Sequence, residues 1–325
     1  MKKNFLLGFI AFAALAVTSC TNDDVNEFIP QGKAIEFSTY VGRDAQARGS
    51  EMNADAIKAG FGVLAYQYKT STTYASANFM NNVEVNNSGS GWTYTDKKYW
   101  PTDDSNKIDF LAYAPFTGDA SSQVSLTGKT ITLTVPITVA DQKDLVVATP
   151  VVGQNSGTVA LTFSHMLSRI AFYAKAADTY DAEITITDIS LTGKFHNKGT
   201  VDLSAADPAI TGTDATVETE KTYSPELSGT ALSTTLAMQN NNTDYLMLIP
   251  AAAQNLSLSI TYDVEDTDGI VTNTITKPIT NQAFVAGTAY AINMSISLNE
   301  VAFSVNVTAW NDPETNVPAS GAIEF

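Results

Sequence analysis

The chain has 325 residues, of which 44% are hydrophobic and only 16% charged; this supplies ample apolar material for packed cores and argues against an intrinsically disordered chain. A formal net charge of −16 argues against nucleic acid or an anionic membrane surface as partner and suits a soluble, self-repelling extracellular surface. Thr, Ser, Val, Asn and Ala recur throughout while long Glu/Lys/Leu runs are absent, which favours β structure.

The chain opens with Met1-Lys2-Lys3 and an apolar run over residues 5–17, too short and wrongly flanked for a mature spanning helix. It ends in Val17-Thr18-Ser19-Cys20, and small residues before a cysteine at the end of a signal peptide resemble a bacterial lipobox. Residues 1–19 are therefore expected to be a lipoprotein signal peptide, with Cys20 as the lipidated (palmitate-bearing) residue. Cys20 is the single cysteine, so no internal disulfide is expected.

Two short segments echo each other. Near the start stands Gly32-Lys33-Ala34-Ile35-Glu36-Phe37, and at the other end Gly321-Ala322-Ile323-Glu324-Phe325. In both, Ile and Phe sit two apart with Glu between them, the period of a half-buried strand. From Ala34 onward, Ile35, Phe37, Thr39 and Val41 fall on one face, and Glu36, Ser38 and Tyr40 on the other. The first copy precedes Gly42-Arg43-Asp44-Ala45-Gln46-Ala47-Arg48-Gly49, a polar, small-residue loop of the kind that proteases cut, with Arg43 and Arg48 as candidate sites. The second follows Asn311-Asp312-Pro313-Glu314-Thr315-Asn316-Val317-Pro318, whose two prolines are expected to keep the tail extended and undocked from its own fold. At about 3.3 Å per residue such a tail spans on the order of 50 Å, enough to reach an adjacent molecule. The placement predicts that both strands fill one groove, the first in a stored precursor and the second supplied by a neighbour once the first is cut off.

From Gly60 onward strand signals are dense. Gly60-Phe61-Gly62-Val63-Leu64-Ala65-Tyr66 reads as a strand with central character, and Lys107-Ile108-Asp109-Phe110-Leu111-Ala112-Tyr113-Ala114-Pro115 as another closed by proline. Residues 130–135 alternate cleanly, residues 144–148 form a short apolar strand, and residues 158–174 a long β-rich stretch interrupted by Ser164-His165-Met166-Leu167-Ser168-Arg169. Residues 183–191 alternate with a phase slip that predicts a bulge. Strands over 245–249, 256–264 and 270–275 follow, with Asp268-Gly269 as a tight-hairpin signal, and then strands over 289–298 and 301–310. Strands separated by turns predict an all-β chain of two immunoglobulin-like or transthyretin-like β-sandwiches in tandem. The expected organisation is a signal peptide over 1–19, a propeptide with the groove-filling strand over 20–48, sandwiches over 49–157 and 158–310, and a donor-strand tail over 311–325.

Few residues signal chemistry. His165 and His196 are far apart with no cysteine nearby, so no metal is expected. Ser164 and His165 are neighbours on a strand and point to opposite faces, which excludes a nucleophile pair. Asp263, Glu265, Asp266 and Asp268 hint at calcium but put Val264 where a ligand is needed, so a solvated acidic hairpin is the expectation. Trp92, Tyr94, Tyr99 and Trp100 could stack on sugar or fill a core, and core is the expectation. With no phosphate loop, catalytic serine motif or spaced carboxylate pair, neither an enzyme nor a cofactor is expected.

Four segments, taken together and in order, resemble the fimbrillin-like proteins of Bacteroidales, the type V pilins and their relatives: Tyr99-Trp100-Pro101, Asp109-Phe110-Leu111-Ala112-Tyr113-Ala114-Pro115, Asp144-Leu145-Val146-Val147-Ala148 and Phe163-Ser164-His165-Met166-Leu167-Ser168-Arg169-Ile170-Ala171-Phe172. Asp23 and Asp24 just behind Cys20 resemble the acidic tag of surface-directed lipoproteins from the same phylum. The resemblance implies two transthyretin-like sandwiches, export as a lipoprotein, removal of the N-terminal strand by an arginine-specific protease, and polymerisation by strand exchange with the C-terminal segment. Arg48-Gly49 matches the family's cleavage site in position and type. Ala34, Ile35, Phe37, Thr39 and Val41 would then be the propeptide strand, and Val317, Ala322, Ile323 and Phe325 the donor strand. Expected partners are further copies of the chain, other fimbrial subunits, the protease and a host glycan or protein. The expected location is the outer membrane, then a surface fimbrium serving adhesion. The competing expectation is a monomeric outer-membrane lipoprotein that binds glycan through its aromatics.

Overall fold

The computed structural model describes residues 32–41, 51–71, 74, 76–118, 123–214, 217, 219–241, 245–310 and 323–324. The signal peptide, Cys20, Arg43, Arg48, Gly49 and most of the tail, including Val317, Ala322 and Phe325, lie outside the described residues. Regular structure is almost entirely β, with two short 3-10 turns at Ala56–Ala59 and Val139–Asp141.

In chain order the first strands are β1 Glu36–Val41, β2 Phe61–Tyr68, β3 Met80–Asn87, β4 Trp92–Thr93, β5 Lys107–Ala114, β6 Val124–Thr127, β7 Thr130–Thr134, β8 Val146–Ala148, β9 Val151–Gln154 and β10 Thr158–His165. They are followed by β11 Ser168–Ala176, β12 Glu183–Gly193, β13 Lys198–Asp202, β14 Thr211–Gly212, β15 Lys221–Tyr223, β16 Ala237–Met238, β17 Leu246–Leu248, β18 Ala251–Asp266, β19 Gly269–Phe284, β20 Thr288–Ile296, β21 Val301–Ala309 and β22 Ile323–Glu324.

The first sheet runs β1-β10-β8-β5-β2-β3-β4, with β9 also on β5. Its central strands read as unbroken apolar runs because both of their faces are covered. In β2, Phe61, Val63 and Ala65 join one core with Phe110, Ala112 and Phe163, while Leu64 and Tyr66 join a second core with Leu111, Tyr113 and Leu133. Gly62 is required where this layer is tightest, since a β-carbon there would stand 2.5 Å from the Tyr113 ring. The small sheet β14-β13-β7-β6 covers the second core.

A five-stranded path β16-β11-β20-β21-β22, with β17 also on β11, faces the sheet β15-β12-β18-β19. Between them lies the third core, including Phe172, Phe195, Tyr223, Leu258 and Ile292. The predicted phase slip is a register shift between Ile186 and Asp188 against β18. The acidic hairpin is also present, though its two turn residues are Thr267 and Asp268, closed by the Asp266–Gly269 pair, and its strands run for 16 residues each.

Two features depart from the sequence reading. The expected boundary at 157 separates β9 from β10, yet β10 is paired inside the first sheet, with β1 and β8, and β13 from the later half returns to pair with β7. Both are pairings between distant segments that strand periodicity does not encode. The tail was expected to stand undocked, yet Ile323 and Glu324 pair antiparallel with Val305 and Ser304 on β21. Without β22, that side of β21 would be an unpaired row of backbone donors and acceptors, which attracts any available strand.

Candidate assembly groove

β1 closes the first sheet on itself. One edge pairs in parallel with β10, from Glu36 opposite Thr158 to Val41 opposite Phe163. The other edge meets the segment after β4: Ala34 bridges Tyr99, the Ile35 N–H donates to the Lys98 carbonyl at 2.9 Å, and the Trp100 N–H donates to the Lys33 carbonyl at 3.0 Å. Its two walls are also tied to each other, because the Trp100 indole N–H donates to the carbonyl of Gly157, just before β10, at 3.0 Å.

The side chains follow the alternation. Ile35 is 1% exposed, Phe37 5% and Val41 5%, Thr39 is half-buried, and Glu36, Ser38 and Tyr40 face solvent. The Phe37 ring sits in an aromatic cage, edge-on to Phe61 at 6.1 Å, Tyr94 at 5.6 Å and Phe110 at 6.0 Å between centroids. Tyr94 donates its hydroxyl to the Ile35 carbonyl at 2.9 Å, and burial pushes that phenol's pKa up. Burying three such side chains contributes roughly 1.5–3 kcal/mol each before ordering costs, and each aromatic contact adds about 0.5–1.5 kcal/mol. The groove is therefore apolar and aromatic inside, lined along both rims by backbone groups that any strand can satisfy.

Of the four aromatic residues considered as a sugar platform, Tyr94 and Trp100 are buried in the groove's core, Trp92 is half-buried and packs against it, edge-on to Phe61 at 5.1 Å, and Tyr99 is half-buried with its backbone bridged to Ala34. The acidic hairpin residues are held locally: the Thr272 hydroxyl donates to Asp263 at 2.6 Å and the Asp268 N–H to Asp266 at 2.8 Å.

A polar network, invisible in the sequence, lies where the two halves meet. Glu51 accepts from the Arg169 guanidinium and from the Trp310 indole N–H at 2.6 Å, and Arg169 stacks over Tyr245 at 4.4 Å. Trp310 in turn stacks flat on His165 at 4.1 Å, and His165 Nδ1 lies 2.7 Å from Asp144. Asp144 also accepts the N–H groups of Met52 at 3.0 Å and Leu145 at 2.8 Å. His165 is thus structural, facing inward while Ser164 faces out. This network holds residue 51, just beyond the Arg48-Gly49 bond, and residue 310, at the root of the tail, through one carboxylate. The only sequence signal for it was the His165–Arg169 part of the segment that interrupts the β pattern.

A fimbrillin-like family profile matches residues 48–310. The fimbrium subunit Fim1C of Phocaeicola vulgatus is 27% identical, with 93% of this chain and 96% of that protein covered. The crystal structure of a fimbrial protein from Bacteroides vulgatus is 25% identical and superimposes with a TM-score of 0.68, covering 85% of this chain and 99% of that one. With the profile spanning most of the chain, this protein belongs to the fimbrillin-like family.

Proposed function

We propose that the chain is a structural subunit of a surface fimbrium serving adhesion, stored as a precursor in which β1 occupies the groove and assembled when a neighbour's tail replaces it. The observation that carries this reading is a strand paired along its length with β10, bonded on its other side where it begins, at residues 33–35, and buried on one face, that is joined to the body of the fold only through residues 42–50, the segment with Arg43 and Arg48. Cleavage between Arg48 and Gly49 by an arginine-specific protease severs the covalent tether. β1 is then held only by non-covalent contacts, and an equivalent strand at high local concentration can compete for the slot. Cys20 leaves with β1 when it is displaced, so one cut makes possible both the opening of the groove and the release of the subunit from its lipid anchor in the outer membrane. A contact from the tail of one molecule to the groove of the next is head-to-tail and non-closing, which builds a filament.

Before exchange, the tail's Ile323–Glu324 segment rests on β21 of its own chain. It must leave that edge to reach a neighbour. The test is an Arg48→Ala variant of the full chain in a fimbriated cell. Wild type is expected to give a ladder on an unboiled gel, and the variant to remain a lipid-labelled monomer. A variant that stays uncut at both Arg43 and position 48, yet forms ladders as readily as wild type, would falsify the gating by cleavage. Cys20→Ala should abolish incorporation of labelled palmitate.

A further inference from the structure

We propose that the groove accepts the incoming tail in one register, with Ile323 in the place of Ile35 and Phe325 in that of Phe37, so that Glu324 lies opposite Thr158 and the strand runs parallel to β10. This rests on the strand-exchange reading above and adds the residue-level specificity of the site: it selects a segment with Ile and Phe two residues apart.

The likeness of the two segments extends beyond four letters. Residues 29–37 read Ile29-Pro30-Gln31-Gly32-Lys33-Ala34-Ile35-Glu36-Phe37, and residues 317–325 read Val317-Pro318-Ala319-Ser320-Gly321-Ala322-Ile323-Glu324-Phe325. Aligned without a gap, five of the nine positions are identical and a sixth pairs Ile29 with Val317. The proline stands four residues before the alanine in both, so each strand enters from an approach with a fixed φ and no N–H to pair.

Other registers fail on the geometry of the groove. A slip of one residue turns Ile323 and Phe325 to solvent and Glu324 inward. A forward slip of two keeps the faces but puts Gly321 in the place of Ile35, and a forward slip of four puts Gly321 in the aromatic cage of Phe61, Tyr94 and Phe110, leaving it empty. The backbone rims do not discriminate, since the Tyr94 hydroxyl and the β10 edge accept any residue's main chain. Side-chain fit at the Ile35 and Phe37 places therefore decides. One position limits the mimicry. A β-carbon on Gly32 would stand 2.4 Å from the Trp100 carbonyl oxygen, and the aligned residue is Ser320. The incoming strand must leave the path of β1 there, and Gly321, next in line, gives the backbone that freedom.

Cysteine pairs read the register directly. Cys20 is the only native cysteine and lies before the expected cut. In the full chain expressed in a fimbriated cell, Glu324→Cys is combined in turn with Thr158→Cys, Ala160→Cys, Thr162→Cys and Ser304→Cys; residues 158, 160 and 162 all face solvent. Glu36→Cys with Thr158→Cys in the Arg48→Ala precursor calibrates the same contact within one chain, and shows that the substitutions leave the sheet folded. Purified fibres are treated with a short bis-thiol reagent and run on a denaturing gel. The expected result is intermolecular crosslinking of position 324 to 158, about tenfold above that to 160 or 162, because registers that keep the faces are discrete steps of two residues. Crosslinking to 304 is expected only within single, unassembled subunits. A dominant crosslink to 160 or 162 in intact fibres overturns the register while leaving strand exchange in place. Fibres that still form after deletion of residues 317–325 overturn strand exchange itself, and so do intact full-length fibres with no intermolecular crosslink from position 324 at any pair.

Discussion

Ala34-Ile35-Glu36-Phe37 and Ala322-Ile323-Glu324-Phe325 spell the same four residues, yet the molecule seats them differently. The first lies in a slot. Six residues of β1 pair with β10, the opposite edge meets Lys98–Trp100, and Ile35 and Phe37 are buried. The second rests on an edge, where only Ile323 and Glu324 pair with β21, antiparallel and along a single row. A strand in the slot can leave only if its row of bonds to β10, its bonds to Lys98–Trp100 and an aromatic contact set are lost together, whereas a strand on an edge gives up one short row. The difference teaches that the environment, and not the local sequence, sets how firmly this segment is held. On the strand-exchange proposal, the copy in the slot is the one whose displacement would require cleavage, and the copy on the edge is not.

The largest expected effect tests the slot. Phe37→Ala in the uncleaved precursor should cost about 3–5 kcal/mol, the usual penalty for emptying a buried aromatic site. Urea unfolding of the Arg48→Ala precursor, with and without the substitution, measures it, and the same change should raise binding of a hydrophobic dye. A cost under about 1 kcal/mol would mean that the slot grips β1 no better than the edge grips β22, and the contrast would be lost.

Next in size is the junction that fixes the frame of both seats. Arg169→Leu leaves the Glu51 carboxylate buried opposite a hydrocarbon, and breaking a buried pair in this way costs about 3 kcal/mol. Trp310→Phe keeps a ring against His165 but removes the N–H that Glu51 accepts, a loss of about 1–2 kcal/mol. Melting curves of the two variants should fall in that order. Equal losses would put the Trp310–Glu51 hydrogen bond on a par with the Glu51–Arg169 pair.

What could be read in the sequence followed from local periodicity. The alternation in residues 35–41 was legible because β1 has one face in a core and one in water. The apolar runs of β2 and β5 were legible because cores lie on both of their faces, and the slip at Ile186–Asp188 because a bulge interrupts the alternation itself. The groove's second wall, at Lys98–Trp100, was not legible, and neither was the parallel partner β10. They stand roughly sixty and 120 residues away from β1, and nothing in a strand's own pattern names its neighbour. Position 157 falls between β9 and β10, and β10 looks like the start of a second sheet until its pairing with β1 is seen. Glu51, Arg169 and Trp310 carry no shared motif; only the fold brings them together.

A smaller effect belongs to Asp109, a buried residue of β5 held by the hydroxyls of Tyr68 at 2.8 Å and Tyr74 at 2.7 Å and by the Gly153 N–H at 2.6 Å. Tyr68→Phe should cost about 1 kcal/mol, less than a fully buried bond to a charge because Tyr68 is partly exposed. Desolvation, then the bond to Asp109, pushes the Tyr68 hydroxyl up to about 12. A raised pKa means that this group's contribution is whole below the ordinary tyrosine value near 10 and is lost as pH rises through about 12. The difference in stability between wild type and Tyr68→Phe should therefore shrink over that alkaline window, and unfolding midpoints at stepped pH will show it. The partners of Asp109 lie in neither wall of the groove, so this site should behave alike in precursor and cleaved chain.

The smallest expected effect is on the edge seat, and it sharpens the comparison most. Deleting residues 317–325 from the Arg48→Ala precursor should change its stability by well under 1 kcal/mol, because the few backbone bonds of a two-residue pairing contribute about 0.5–1.5 kcal/mol each and ordering the residues that make them costs about as much. The same deletion in the cleavable chain should abolish the fibre ladder. Those two results together would place the tail's role between molecules and not within one. A loss of several kcal/mol from the precursor would instead make β22 an integral strand of its own sheet. The tail could then reach a neighbour only at the expense of its own fold, and the asymmetry between slot and edge would no longer explain how one copy of the segment replaces the other.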